Sequence, residues 1–496
     1  MKPKVLIISY LFPPIGGGGV QRALKMAKYL EQYGWQPHIL TVDEDVYFAS
    51  KDVSLLNQLP PEVIIHRAKQ IDVLGKLSKP SNSSIPNTLP TKPVNTNTTT
   101  DETTSMKSNQ SNQSLLNLPY KFKQGLLKLL KKTFKIVKNR LLIPDDQVLW
   151  YRSAVEVGQD AIKQHDIKAI FSTSGPNTNH LVAYALKKET GLPWIADFRD
   201  PWTDNMHRSG IWWREKLEAK LEARVITNAD VVTTVTESFF AGFQKKYGSI
   251  IKQGVVIHNG YDIADYASND NTSNDNTSND NDITLAQKAT SNNNIIEHIE
   301  RKTLKFAYTG IFYEKRNPRL LLQALKELID ENVINPDNIE LHFAGIFDYP
   351  GQTANWQAVI EAKLDKQVVL HGQLPHNEAL QLLSQSDVLL LIADMGATAG
   401  AYIPGKLFEY IAVGKPILAL THLGESSVII ESLNNGLIVD PTSLREMKIA
   451  LTKLYDNWIA TGFAFHMPAD LRDKTKIYQR HEQARMLAYI LTDIRS

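Results

Sequence analysis

The chain of 496 residues contains no cysteine, which excludes disulfides, thiolate metal sites and a cysteine nucleophile. Long apolar runs are missing as well. The first apolar stretch, within MKPKVLIISYLF, is stopped by Pro13-Pro14, so it reads as a buried strand and not as a signal peptide. No run approaches the ~20 residues of a membrane span. A cytoplasmic location is expected, with attachment to the inner face of a membrane left open. Net charge is also scarce, at +2. That near-balance hides an asymmetry: between Leu115 and Ile143 stand seven lysines and Arg140 with no acidic residue, so the rest of the chain is net acidic.

What is present is ordinary for a folded protein: 43% apolar and 22% charged residues, in a chain long enough for two cores. Val5 to Leu11 is a β-rich run, followed by Pro13-Pro14-Ile15-Gly16-Gly17-Gly18-Gly19. A helix should follow, with Val20, Ala23, Leu24, Ala27 and Leu30 on one face and a stop at Gly34, and then a strand over Gln36 to Val42. This is a βαβ unit, right-handed by default. Gly17, Gly18 and Gly19 permit backbone to approach a phosphate closely. Gln21 stands where the third glycine of GxGxxG would be, which disfavours a dinucleotide site.

Alternation resumes after Trp150, with strands at Ile167 to Thr173, Pro193 to Asp197, Asp230 to Thr236 and Val255 to His258. Asp197-Phe-Arg199-Asp200-Pro-Trp202 is a polar cluster at the carboxyl end of a strand, a place where open α/β sheets bind ligands. An Arg–Asp structural pair would explain it equally well. The second half repeats the pattern from Leu304, and its strand ends at Gly310 with Lys315 and Arg316 beyond. Strands then follow at Ile339 to Ala344, Val368 to His371 and Asp387 to Ile392. Gly400-Ala401-Tyr402-Ile-Pro-Gly-Lys406-Leu407-Phe-Glu409 reads as a loop and a helix opening after Gly405. A free helix N-terminus with Lys406 suits an anion, and Arg316 can grip a phosphate bidentately.

Two stretches break the alternation. Residues 80–114 and 268–294 are polar and repetitive, too poor in apolar surface to offset ordering entropy, and are expected to be disordered. The second carries NDNTSNDNTSNDND, which lacks the glycine and terminal glutamate of an EF-hand. Residues 119–143 should form a basic amphipathic helix, with Lys121, Lys128, Lys131, Lys132, Lys135 and Lys138 opposite a leucine-rich face. Such a helix suits an anionic bilayer surface. Packing on a core is the alternative, and no interleaved aromatics support nucleic acid.

Taken in order, Pro13 to Gly19, Asp197 to Trp202, His258-Asn-Gly-Tyr-Asp262, Tyr308-Thr-Gly310 with Arg316, and Pro404 to Glu409 with Gly414-Lys-Pro416 resemble the GT-B glycosyltransferases. The likeness is greatest to the family-4 (group 1) retaining enzymes of bacterial polysaccharide and glycolipid biosynthesis. The resemblance implies two Rossmann-like, doubly wound α/β domains facing a cleft. The acceptor-side domain would span 1–262, the nucleotide-sugar domain 303–465, and a C-terminal helix within 470–496 would cross back. It implies Gly17, Gly18, Gly19, Gly310, Lys315, Arg316, Ala401, Tyr402, Lys406, Leu407 and Glu409 as donor-binding, and Arg199, Asp200 and Arg316 as catalytic. Glu409 matches the second glutamate of the family's pair, which holds the ribose hydroxyls. Ala401 stands in place of the first, where amides of Ala399 to Tyr402 could substitute. Ile311 stands in place of an arginine, and Arg199 in place of the active-site histidine.

The implied reaction takes a nucleotide-diphosphate sugar and a glycan or lipid-linked acceptor, with no cofactor and no metal. No DxD-type triplet is read as a metal site. A nucleotide-sugar epimerase of the same architecture, or a noncatalytic nucleotide-sugar-binding scaffold on a membrane, are the competing expectations.

Overall fold

Val5 to Ile8 are fully shielded from solvent, which requires hydrogen-bonded neighbours on both sides and helices over both faces. The computed structural model describes residues 2–46, 51–71, 141–205, 209–266, 303–313, 315–396 and 398–495, and in it β1 (Lys4–Ile8) is an inner strand of a parallel sheet. In chain order there follow α1 (Gln21–Tyr29), β2 (Gln36–Val42), β3 (Ile64–Ala68), α2 (Tyr151–His165), β4 (Ile167–Thr173) and α3 (Thr178–Thr190). Next come β5 (Trp194–Phe198), α4 (Trp212–Asn228), β6 (Val231–Thr234), α5 (Glu237–Tyr247) and β7 (Gly254–Val256). The seven strands lie in the order β3-β2-β1-β4-β5-β6-β7, paired in parallel throughout. Strand order reverses between β1 and β4, so the loops after those two strands open the crevice where such sheets take ligands.

The second sheet repeats the design. Its elements are β8 (Leu304–Ile311), α6 (Arg319–Asp330), β9 (Ile339–Ile346), α7 (Ala354–Glu361), β10 (Val368–Gly372), α8 (His376–Ser384) and β11 (Val388–Ile392). They continue with α9 (Gly405–Val413), β12 (Ile417–Leu420), α10 (Glu425–Leu433), β13 (Gly436–Val439) and α11 (Leu444–Thr461). Here the order is β10-β9-β8-β11-β12-β13, with the reversal between β8 and β11. The fold is thus two Rossmann-like parallel sheets, each wrapped in helices.

The chain passes between the two units twice, and the passes hold each other. Tyr261 N donates to Tyr478 O (3.0 Å) and Arg480 N to Tyr261 O (2.8 Å). After α12 (Leu471–Thr475), the last helix, α13 (Arg480–Asp493), lays Ala484, Leu487 and Leu491 into the core of the first unit. Trp35 Nε1 donates to Thr492 Oγ1 (3.1 Å) on that helix.

Several element bounds differ from the sequence reading by a few residues. The strand expected over Asp230 to Thr236 ends at Thr234, because the Thr236 side chain accepts from Phe239 N (3.1 Å) and caps α5. The last helix, expected within 470–496, starts at Arg480, because Gln479 is extended (φ −77°, ψ 142°) where it bridges Tyr261. The polar stretches 80–114 and 268–294, and the basic helix expected over 119–143 except for residues 141–143, lie outside the described residues. Among the described residues no helix is long and apolar enough to cross a membrane.

Candidate functional site

The first wall of the site grows from the glycine loop after β1. Gly17 holds φ 96°, a conformation that only glycine adopts cheaply, and it turns the chain into a short 3-10 turn at Gly18–Val20. No atom lies within 4 Å of where a Cβ would sit on Gly17 or Gly18, so this backbone is open to a ligand. Gly19 is held from behind by Arg199, whose Nη1 donates to Gly19 O (2.6 Å). The same guanidinium donates through Nη2 to Gly175 O (2.8 Å) and through Nε to Ser174 O. Arg199 therefore ties together the loops that leave β1, β4 and β5. Burial lowers its pKa. Its geometry is that of a group positioning the glycine loop. Asp200, next to it, is exposed at the cleft.

Beneath this wall lies a buried network that anchors α1. Asp197 is wholly buried and accepts from Arg22 Nε (2.8 Å) and Nη2 (2.7 Å) and from the hydroxyls of Thr173 and Thr233 (2.7 Å each). Burial alone would raise its pKa; Arg22 and the two hydroxyls hold it below the ordinary carboxylate value. Arg22 Nη2 and Nη1 also donate to Ile257 O (3.0 Å) and His258 O (3.1 Å). One turn on, Lys25 Nζ donates to Asp262 Oδ2 and Asp265 Oδ1 (2.7 Å each). Asp262 further accepts from Lys28 (2.8 Å) and the Tyr29 hydroxyl (2.6 Å). The structural ion pair of the Asp197–Asp200 cluster is thus Asp197 with Arg22.

The second wall starts where β8 ends. Gly310 has φ 137°, and a Cβ there would collide with Lys406 Nζ. Lys406, on the first turn of α9, sends its ammonium to Thr309 O (2.6 Å) and over the Tyr308 ring, 3.9 Å from its centroid. Burial, with Arg316 adding to it and Glu409 opposing, lowers its pKa to about 7. Arg316 packs its guanidinium over the Tyr313 ring (4.9 Å) and bonds the Tyr308 hydroxyl, and its Nε is buried with no hydrogen-bond partner. Glu409 lies one turn further along α9; burial raises its pKa against the pull of His376 and Lys406. Pro404 precedes α9 and provides no side-chain cap, so the amides of Gly405 and Lys406, which open that helix, lack intrahelical acceptors.

Gly310, Arg316, Lys406 and Glu409 are thus brought together, as are Gly17 to Gly19 with Arg199 and Asp200. A cavity of about 280 Å³ lies between the two units, lined by Gly19, Arg199 and Asp200 from the first group and by Phe239, Tyr402 and Ile403 among others. Across it the Phe239 and Tyr402 rings meet edge to face at 4.9 Å, and Ser238 N donates to Glu425 Oε1 (2.6 Å).

Other expected donor contacts fall elsewhere. Leu407 is fully buried in an apolar cluster and its amide donates to Pro404 O (2.9 Å), so it presents nothing to a ligand. The amides of Ala399, Ala401 and Tyr402 already donate to Gly396 O, Thr398 O and Ala399 O (2.9, 3.2 and 3.1 Å). These three are engaged within a 3-10 turn. Lys315 is exposed. The sequence reading passed over Arg22, Lys25, Phe239 and His376. For the first two a signal existed: two cations, one turn apart, on the helix that carries the apolar stripe Val20, Ala23, Leu24, Ala27.

Comparison with known proteins bears on the family and the fold. The profile described as Glycosyltransferase Family 4 matches residues 125–265, and that described as Glycosyl transferases group 1 matches residues 303–457. Sucrose-phosphate synthase from Thermosynechococcus elongatus has a similar structure, with a TM-score of 0.56 at 14% identity over 99% of each chain. A glycosyltransferase from Rickettsia africae reaches 0.55 at 14% identity, over 99% of this chain and 98% of its own. Anabaena Alr3699/HepE, in complex with UDP, reaches 0.50 at 14% identity over 100% and 97%. At such identities the likeness is one of fold. No curated protein matches the chain by sequence.

Proposed function

The chain belongs to the group 1 and family 4 glycosyltransferases, and from that premise we propose that it moves a sugar from a nucleoside-diphosphate sugar to a glycan or lipid-linked acceptor with retention of configuration. The observation that carries the reading is the pairing of Arg316 and Lys406 at the mouth of α9. Burial makes the Lys406 proton easy to lose, and Arg316 keeps a buried Nε without an acceptor. Two cations in that state are stabilised by an incoming dianion.

In this reading the diphosphate rests on Arg316, Lys406 and the first amides of α9, with Glu409 taking the ribose hydroxyls. The open backbone of Gly17 and Gly18 approaches from the opposite wall, held at the right height by Arg199. The bond between the sugar's anomeric carbon and the diphosphate oxygen breaks, and its electron pair leaves with the diphosphate. The acceptor hydroxyl attacks on the same face and gives its proton to the departing phosphate oxygen. The two cations stabilise the charge that develops there, which is electrostatic catalysis by preorganised groups. The carboxylate that family members bring to the donor sugar is Ala401 here, so sugar selectivity rests on other contacts in the cleft. A lipid-linked acceptor would be met at a bilayer face held by residues 119–143.

The test is donor turnover. Purified protein is incubated with a panel of nucleoside-diphosphate sugars and a membrane lipid extract, with Arg316→Ala and Glu409→Ala in parallel. We expect sugar incorporation from one donor and its loss by about 10- to 100-fold in Arg316→Ala, the scale of a lost charge-assisted hydrogen bond. Nucleotide binding with no incorporation from any donor would favour a noncatalytic binding protein. A free epimerised nucleotide sugar would favour an epimerase.

A further inference from the structure

Three imidazoles meet at the far side of the first sheet. His38 is the third residue of β2, His66 the third of β3, and His165 the last of α2. The register that pairs His38 with Ile64 and Leu40 with His66 sets the two strand histidines diagonally on one face of the sheet. Helix α2 packs over these strands and brings His165 onto the pair. The ring centroids are 5.4 Å apart for His38 and His66, 4.8 Å for His38 and His165, and 5.2 Å for His66 and His165. His38 Nδ1 lies 3.1 Å from His66 Nε2, and one nitrogen from each ring can be chosen so that all three lie within 4.8 Å of one another.

We propose that His38, His66 and His165 form a binding site for one borderline divalent transition ion of the Zn²⁺ class, with an open fourth position for water. The spacing fits. Tetrahedral Zn–N bonds of about 2.0–2.1 Å place neighbouring nitrogens about 3.3 Å apart, close to the His38–His66 separation. His165 ends its helix and is only partly buried, so it can close the remaining gap by rotating its side chain. The donor chemistry selects the ion: imidazole suits Zn²⁺, Ni²⁺, Co²⁺ and Cu²⁺, whereas a set without oxygen ligands is poor for Ca²⁺ or Mg²⁺. His38 is fully buried, which holds its ring in one place beside His66. His66 and His165 are both partly open to solvent, which provides an entry path.

The second sheet contains an instructive counterpart. Its own strand pair, β9 and β10, occupies the place that β2 and β3 hold in the first sheet, and it also stacks two histidines. His342 Nδ1 lies 2.9 Å from His371 Nε2, and the rings are 5.2 Å apart. There the other nitrogen of His342 is taken by Glu340 Oε2 (3.0 Å), and no third imidazole joins the pair among the described residues. Stacked histidines on an outer strand pair are therefore a feature of both halves, and convergence of three is a feature of the first alone.

The site is remote from the cleft. The cleft is made by loops that follow the carboxyl ends of β1, β4 and β5, whereas His165 stands just before the start of β4. An ion there would clamp the sheet edge β2–β3 to α2 and take no part in sugar transfer.

The experiment titrates tag-free, chelator-treated full-length protein with Co²⁺, reading its visible ligand-field absorption, and competes the Co²⁺ with Zn²⁺. We expect one equivalent bound with the intense absorption of a tetrahedral site, displaced by Zn²⁺. His66→Ala and His165→Ala should each weaken binding more than about tenfold, and His342→Ala should change nothing. These two first-unit histidines carry the test because His38 is buried and its replacement could unfold the sheet. Absence of a tetrahedral Co²⁺ spectrum would overturn the proposal, as would Co²⁺ affinity that is unchanged in His66→Ala and His165→Ala.

Discussion

Lys406 is where the site's chemistry is most exposed to measurement. Its folded pKa of about 7 lies below the 10.4 expected in an unfolded chain, so the folded, unliganded protein binds fewer protons across that interval. The sign follows directly: the penalty on folding is full below about pH 7 and fades as pH rises toward 10. A bound diphosphate reverses the situation by favouring the ammonium. Binding of a nucleoside diphosphate at about pH 8 should therefore take up most of a proton. It should also weaken as pH climbs further. Titration calorimetry in buffers of different ionisation enthalpy reads this uptake, and Lys406→Met should abolish it. Proton release, or uptake that persists in Lys406→Met, would show that the diphosphate does not sit on this side chain.

At the scale of elements, α1 carries more than its apolar stripe suggests. Its outward residues pack on α13, and two of its cations are swallowed by the first unit: Arg22 against Asp197 and Lys25 against Asp262. Arg22→Ala would leave Asp197 buried without its partner, a change that costs about 3–5 kcal/mol, and the melting temperature should fall accordingly. Asp262 adds a pH signature. Burial opposes its ionisation, but Lys25, Lys28 and Tyr29 bring its pKa down to about 2. Its contribution is present above the unfolded value near 4 and is lost as pH falls from 4 through 2. Thermal melts across that range should lose their steepest part in Asp262→Asn.

The same elements show what a sequence can disclose. Gln36–Val42 and Ile167–Thr173 have the bounds read from apolar runs, because β-branched stretches between turn residues have few alternatives. Helix α9 was legible from Gly405 and its stop at Gly414. The strand β3 and the run from α10 to α11 went unread, since IIHRA and GLIV are too short to show a period. Partnerships across the fold were not legible at all. Arg22 and Asp197 are 175 residues apart, and the three histidines come together only through sheet register and the end of α2. Motif spacing marked the glycine loop and the Lys406 turn; it could not show that Arg199 spends its donors on carbonyls, or that Leu407 turns inward.

The whole molecule is two sheets of the same design whose reversal points face each other across a crevice bridged by Phe239 with Tyr402 and Ser238 with Glu425. Two chain passes, hydrogen-bonded through Tyr261, Tyr478 and Arg480, couple the units at their base. Arg316, Lys406 and Glu409 belong to one unit and the glycine loop to the other, so the proposed reaction needs the pair and not one unit alone. The reaction proposed for this cleft leaves the departing diphosphate as the proton acceptor on the face that the new bond uses. The anomeric configuration of the product therefore tests it most directly. With the donor and acceptor found in the turnover screen, nuclear magnetic resonance of the first product should show the anomeric proton in the configuration it had in the donor. An inverted product, or release of free sugar with the acceptor unmodified, would contradict the account.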